Sequence, residues 1–129
     1  MALKITLKPN ERMILGGAVL ANGSSKECKL LIENNVPILR EKDILSEQDA
    51  ATLCSQIYFT IQLMYIDEKN LVRHYDTYWK LIHHLMESAP SVLGLIDQIS
   101  EHIVGNKYYQ ALKLARHLID YEQEVLEGV

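Results

Sequence analysis

The stretch ILREKDILSEQDAATLCSQIYFTIQLMYI, residues 38–66, contains the change of rhythm that decides the fold. Its first residues read as the end of an extended segment. After Asp43 the apolar residues fall into steps of three and four: Ala50, Leu53, Cys54, Ile57, Tyr58, Ile61, Met64 and Tyr65. That spacing places them on one face of a helix. Ser46 followed by Asp49 predicts the start, because a serine oxygen can accept from an orphaned backbone N–H and an acid suits the first turn. YFTIQLMYI is rich in strand-favouring types. The length of the run, longer than an ordinary strand, decides for helix.

Upstream, the period is two. Leu3, Ile5 and Leu7 alternate with Lys4, Thr6 and Lys8, as in a strand with one wet face, and Pro9-Asn10 ends it. A second extended stretch, Arg12 to Leu15, meets Gly16-Gly17, which fits a bulge or a sharp bend, and resumes at Ala18 to Ala21. Asn22-Gly23 then predicts a tight hairpin, since both residues tolerate positive φ. Cys28, Leu30 and Ile32 supply the inward set of the next strand, and Asn34-Asn35 reads as a turn. Pro37 cannot donate to a ladder, which marks Val36 to Arg40 as an edge or a strand start.

Downstream, three more helices follow. Lys69 to Glu87 carries Leu71, Tyr75, Tyr78, Ile82, Leu85 and Met86 on or near one face and is closed by Ser88-Ala89-Pro90. Ser91 to Val104 ends at Gly105-Asn106, where glycine can take the left-handed capping conformation. The last helix carries Tyr108, Leu112, Ala115, Leu118, Ile119, Val125 and Leu126. The expectation is an α+β chain: an antiparallel β-sheet subdomain over residues 1–45, then a bundle of about four helices over residues 46–129.

Charge follows the same division. Residues 1–42 hold seven cations and four acids, a balance of +3, whereas residues 43–129 hold six cations and thirteen acids, a balance of −7. Such asymmetry suits a polyanion-facing end and a protein-facing end, and +3 over 42 residues also suits an ordinary solvated surface. The 129 residues, 48% hydrophobic and 23% charged, belong to the globular class and not to the disordered one. MALKITLKPNER has no secretory apolar run, and Ile57 to Ile66 is far short of the roughly 20 residues that cross a bilayer. Cys28 and Cys54 show no CxxC spacing and read as free thiols.

Enzyme signatures are missing. The five histidines, His74, His83, His84, His102 and His117, form no HExxH and lack a CxxC to complete a tetrahedral site, so no metal or cofactor is expected. Glycine-rich phosphate loops and elbow serines do not occur. The aromatics concentrate in the helical part, where most fall on apolar stripes as core. Tyr78 and Trp79 are adjacent and cannot face the same way, so one of the two is the candidate surface anchor for a partner protein.

LKITLKPNE (Leu3 to Glu11), GGAVLANG (Gly16 to Gly23), ILREKDI (Ile38 to Ile44) and IYFTIQLMYID (Ile57 to Asp67), in this order, closely resemble the FlbT family of flagellin post-transcriptional regulators. The resemblance covers essentially the whole chain, and LREKD joined to YFxxQLMY is its most specific part. It implies a bacterial cytoplasmic protein that is not an enzyme. Such a protein would associate with the 5′ leader of flagellin mRNA and control its translation or stability, opposed by or working with the regulator FlaF.

LKITLKPNE and VPILREKDI are also similar to the first and last strands of the CsrA translational regulators, intertwined dimers that present main-chain and arginine contacts to RNA. By that similarity Thr6, Lys8 and Arg40 would lie near one another, with Lys4 or Lys42 alongside, as RNA contacts. A homo-oligomer, with a dimer through the N-terminal strands as one form, is implied too. Leu7 stands where those regulators usually carry arginine. Few aromatics accompany these residues, so affinity would lean on charge and shape more than on base stacking.

Overall fold

The structure, a computed structural model, describes residues 2–127. Five strands come first and four helices second, and the chain divides into two compact units, Met1–Ile44 and Leu45–Val129.

The β unit contains two small antiparallel sheets. β1 (Leu3–Leu7) pairs with β4 (Cys28–Ile32), and β2 (Arg12–Leu15) lies between β3 (Ala18–Ala21) and β5 (Ile38–Arg40). The inward residues of both sheets meet: Ile5 and Leu7 of β1, Ile32 of β4 and Met13 of β2 form a buried cluster, flanked by Leu15, Leu20, Leu30, Val36 and Ile38. The alternation read from the sequence is therefore the pleat. β5 is an edge strand, as Pro37 predicts.

One turn moves. Gly16-Gly17 is the sharp bend and makes the β2–β3 hairpin, with Leu15 opposite Ala18 and Gly16 at φ +62°. This conformation favours glycine at the first central position of a tight turn. Asn22-Gly23, expected to be a hairpin, is not one, because β4 pairs with β1 and not with β3. Asn22 instead turns its side chain inward. Its amide donates to the carbonyls of Leu7 (3.0 Å) and Lys26 (2.8 Å), and its Oδ1 accepts from the backbone N–H of Ser24 (3.0 Å).

In the helical unit, α1 (Leu53–Ile66) packs against α2 (Leu71–Ser88) and α4 (Tyr108–Glu127), and α3 (Leu93–Val104) packs against α4. α1 is apolar around most of its circumference, so it is buried on several sides through Cys54, Ile57, Tyr58, Ile61 and Met64. The helix begins later than Ser46 suggests. Thr52 is its N-cap, in a reciprocal capping box with Ser55. Ser46 and Asp49 form one isolated turn, with the Asp49 N–H on Ser46 Oγ at 3.2 Å. Just before it, the buried Gln62 side chain holds both the N–H and the carbonyl of Leu45, at 2.8 and 2.9 Å, and fixes an extended entry.

At the other end of the unit, the α3 cap also differs from expectation. Gly105 sits at φ −82°, and Asn106 takes the left-handed conformation at φ 62°. The N–H of Lys107 then reaches the His102 carbonyl at 2.7 Å and that of Asn106 reaches Ile103 at 3.0 Å, a Schellman pattern.

Candidate nucleic-acid interface

The pleat that buries Ile5 and Leu7 turns Lys4 and Thr6 outward on β1. Across the ladder, Thr6 pairs with Lys29 and Lys4 with Leu31, and all four side chains are exposed. Directly opposed residues of an antiparallel pair share a face. Lys29 therefore joins Lys4 and Thr6, although the sequence reading did not single it out. Its outward direction was readable from the inward Cys28, Leu30 and Ile32; that β4 would lie beside β1 was not.

Arg40 ties the two sheets together. Its Nη2 leaves β5 to donate to the Thr6 carbonyl of β1 at 2.9 Å and to Glu11 Oε2 at 3.5 Å. Thr6 and Arg40 are thus brought together, by a main-chain contact within the chain. Arg40 Nε is buried and, among the described residues, has no hydrogen-bond partner. The Arg40 side chain is 38% exposed, so its guanidinium is held in place but still reachable.

Lys8 and Lys42 lie on a cleft that shares Glu11 with Arg40. With Pro9, Asn10, Glu11 and Glu41 they line its volume of about 480 Å³. Asn10 shapes its rim at φ 66°, a conformation asparagine tolerates, and its N–H bonds the Asn22 carbonyl at 2.8 Å. Glu11 accepts from the Lys8 N–H at 2.8 Å, and Glu41 from the Arg12 N–H at 3.2 Å. The Lys8 N–H, with the Arg40 guanidinium helping, holds the Glu11 carboxyl below the usual glutamate range. Lys4 is four residues from Lys8 along the strand, about 13 Å, so it belongs to the sheet face and not to the cleft.

These two surfaces bring five cations, Lys4, Lys8, Lys29, Arg40 and Lys42, onto one small unit against Glu11 and Glu41. Residues 1–44 contain no Phe, Tyr or Trp. The arrangement can therefore neutralise phosphates and hydrogen-bond exposed groups of a single strand, but it cannot stack bases on aromatic rings.

Of the two anchor candidates in α2, one faces inward and the other outward. Tyr78 is fully buried, its hydroxyl sharing a 2.9 Å hydrogen bond with Ser100 Oγ, and burial pushes its pKa up to about 12. Trp79 is 41% exposed and stands edge-on to the Tyr78 ring, with centroids 5.0 Å apart. Cys54 is buried and Cys28 half-buried, both as free thiols. Burial, with the Glu122 carboxylate nearby, pushes the Cys54 thiol up to about 12, a range in which it is not a nucleophile. Among the described residues no group of His, Cys, Asp and Glu could hold a metal ion, and no helix is long and apolar enough to cross a membrane.

Residues 3–126 match the family model described as flagellar protein FlbT. A probable flagellum biosynthesis repressor protein FlbT 1 from Bradyrhizobium diazoefficiens is 41% identical, over 97% of this chain and 85% of its own length. The probable repressor FlbT of Caulobacter sp. (strain K31) is 39% identical over all of this chain and 99% of its own. The flagellum biosynthesis repressor protein FlbT of Caulobacter vibrioides is 38% identical over all of this chain and 92% of its own. No solved structure matches.

Proposed function

The chain belongs to the FlbT family, and from that premise we propose that it is a post-transcriptional regulator of flagellin synthesis, whose β unit contacts the 5′ leader of flagellin mRNA and so controls translation or stability. Its relatives are named repressors of flagellum biosynthesis, a regulatory and not a catalytic role. The observation that carries the RNA contact is the gathering of Lys4 and Lys29 around Thr6 on one face, with Lys8 and Lys42 in one cleft. A single strand laid across these surfaces would have its phosphates neutralised, and its unpaired bases would remain open to the Arg40 fork and to backbone groups.

The test is a titration of the full chain with a flagellin leader and with a scrambled leader. Lys8→Ala and Lys42→Ala should each weaken leader binding and lower the slope of log affinity on log salt by about 0.7. Equal binding of both RNAs by all three proteins would sink the proposal.

A second reading is an adaptor that binds protein alone, FlaF or another flagellar component, with its effect on mRNA indirect. Arg40 favours it, since Thr6 and Glu11 already engage the guanidinium that direct readout would use. RNA that co-purifies with the protein and is lost on nuclease treatment would count against the adaptor.

A further inference from the structure

α2 carries a second apolar stripe besides the one it buries. Val72, Trp79 and Met86 stand seven residues apart, and they are 85%, 41% and 40% exposed. Seven residues are two helical turns less about 20°, so the three side chains line up over about 21 Å of helix. Met86, expected on or near the face of Tyr78, Ile82 and Leu85, lies beside it on this stripe. The stripe borders the core-facing side along one flank. Along its other flank lie Arg73, Asp76, Lys80, His83 and Glu87, all exposed.

We propose that this stripe is the contact between two copies of the chain, with their α2 helices antiparallel about a two-fold axis at Trp79. The sequence is centred for it. Val72 and Met86 are equidistant from Trp79, so the axis sets Trp79 against its own copy and each Val72 against the other copy's Met86. In an antiparallel pair the charged flanks of the two helices lie on the same side of the seam and meet each other.

The charges match only in that arrangement. Arg73 is six residues before Trp79 and Glu87 eight after it, so each Arg73 falls within about 3 Å, along the axis, of the other copy's Glu87. Asp76 and His83, three before and four after, come level within about 1.5 Å. Glu87 thus comes level with a cation of the second copy and Asp76 with an imidazole whose N–H can donate to it, while Lys80 is bridged within its own helix to Asp76 at 3.0 Å. A parallel pair would set the charged flank against the core-facing side, where no such matches exist. A sign pattern that is self-complementary about the central tryptophan selects a second copy as the occupant, because an unrelated partner imposes no such symmetry.

Sedimentation velocity on the full chain over a concentration series tests this. The wild type should sediment as a dimer. Trp79→Ala should weaken dimerisation at least about thirtyfold, as loss of a central anchor does. Arg73→Glu, which sets like charges face to face in both symmetric pairs, should weaken it about tenfold, and R73E/E87R should restore it. A wild type that stays monomeric to about 100 μM would overturn the proposal. So would a dimer indifferent to Trp79→Ala and Arg73→Glu, which would put self-association elsewhere, or a double variant no stronger than Arg73→Glu.

Discussion

The β unit and the helical unit are held together by different means. In the helical unit the long side chains of four helices interdigitate, and its fully buried residues include Tyr58, Tyr78, Ile61, Met64, Ile99, Leu112 and Leu118. In the β unit the buried apolar residues described are Ile5, Leu7, Met13, Ile14, Ile32 and Leu39, and only Ile5, Leu7, Met13 and Ile32 form its cluster. Polar pins do the rest there: the Asn22 amide binds the end of β1 to the loop before β4, and Arg40 binds β5 to β1. A unit of this size has little apolar area to bury, so each satisfied buried polar group matters more to it. The lysines of the β unit are all on its surface: Lys4 and Lys29 at outward strand positions, and Lys8, Lys26 and Lys42 outside the strands.

This contrast predicts where substitutions hurt most. The largest effect should come from the helical core: Tyr78→Ala empties a fully buried site and should cost about 4 kcal/mol in chemical denaturation. Next is Asn22→Ala, which strips two carbonyls of their donor and should cost about 2 kcal/mol. Amide exchange would place that loss in β1 and β4. If Asn22→Ala were neutral, the polar-pin account of the β unit would be wrong.

Gly16→Ala should cost about 1 kcal/mol, because an alanine at φ +62° is strained even in open space. Gly17→Ala, with the same open space and ordinary φ, is its control and should be near neutral. The smallest effect is one of pH. The folded state depresses the Glu11 carboxyl below the ordinary 4.5, so its contribution is complete above that pH and fades as pH falls through the depressed value. The margin of the wild type over Glu11→Gln in pH-dependent denaturation should shrink over that range. A margin that grows on acidification would contradict the Lys8–Glu11–Arg40 arrangement.

The legible parts of the molecule are those set by period. Leu3 to Leu7 and Ile57 to Tyr65 show their two rhythms plainly, and the α+β order of elements follows from them. The resemblance to FlbT proteins, carried by stretches spread from Leu3 to Asp67, holds across residues 3–126. What stayed hidden depends on partners distant in sequence. Asn22-Gly23 has the local chemistry of a hairpin, but the pairing of β4 with β1 overrules it. Ser46 has the chemistry of a cap, yet Gln62, sixteen residues on, holds the backbone of Leu45 just ahead of it, and the helix starts at Leu53 behind the Thr52 cap, which leaves Ala50 of the periodic series outside it. The place of Lys29 beside Lys4 and Thr6 is hidden for the same reason: which neighbour a face meets is a tertiary fact. Arg40 was found, but its grip on the Thr6 carbonyl was not.

The central claim is that the β unit, and not the helical unit, touches RNA. Hydrogen–deuterium exchange of the full chain with and without a flagellin leader tests it most directly. The account predicts slowed exchange in peptides spanning residues 4–12, 28–32 and 38–42, with the amides of α1 and α3 unchanged. Protection confined to the helices, or none anywhere at saturating RNA, would contradict it.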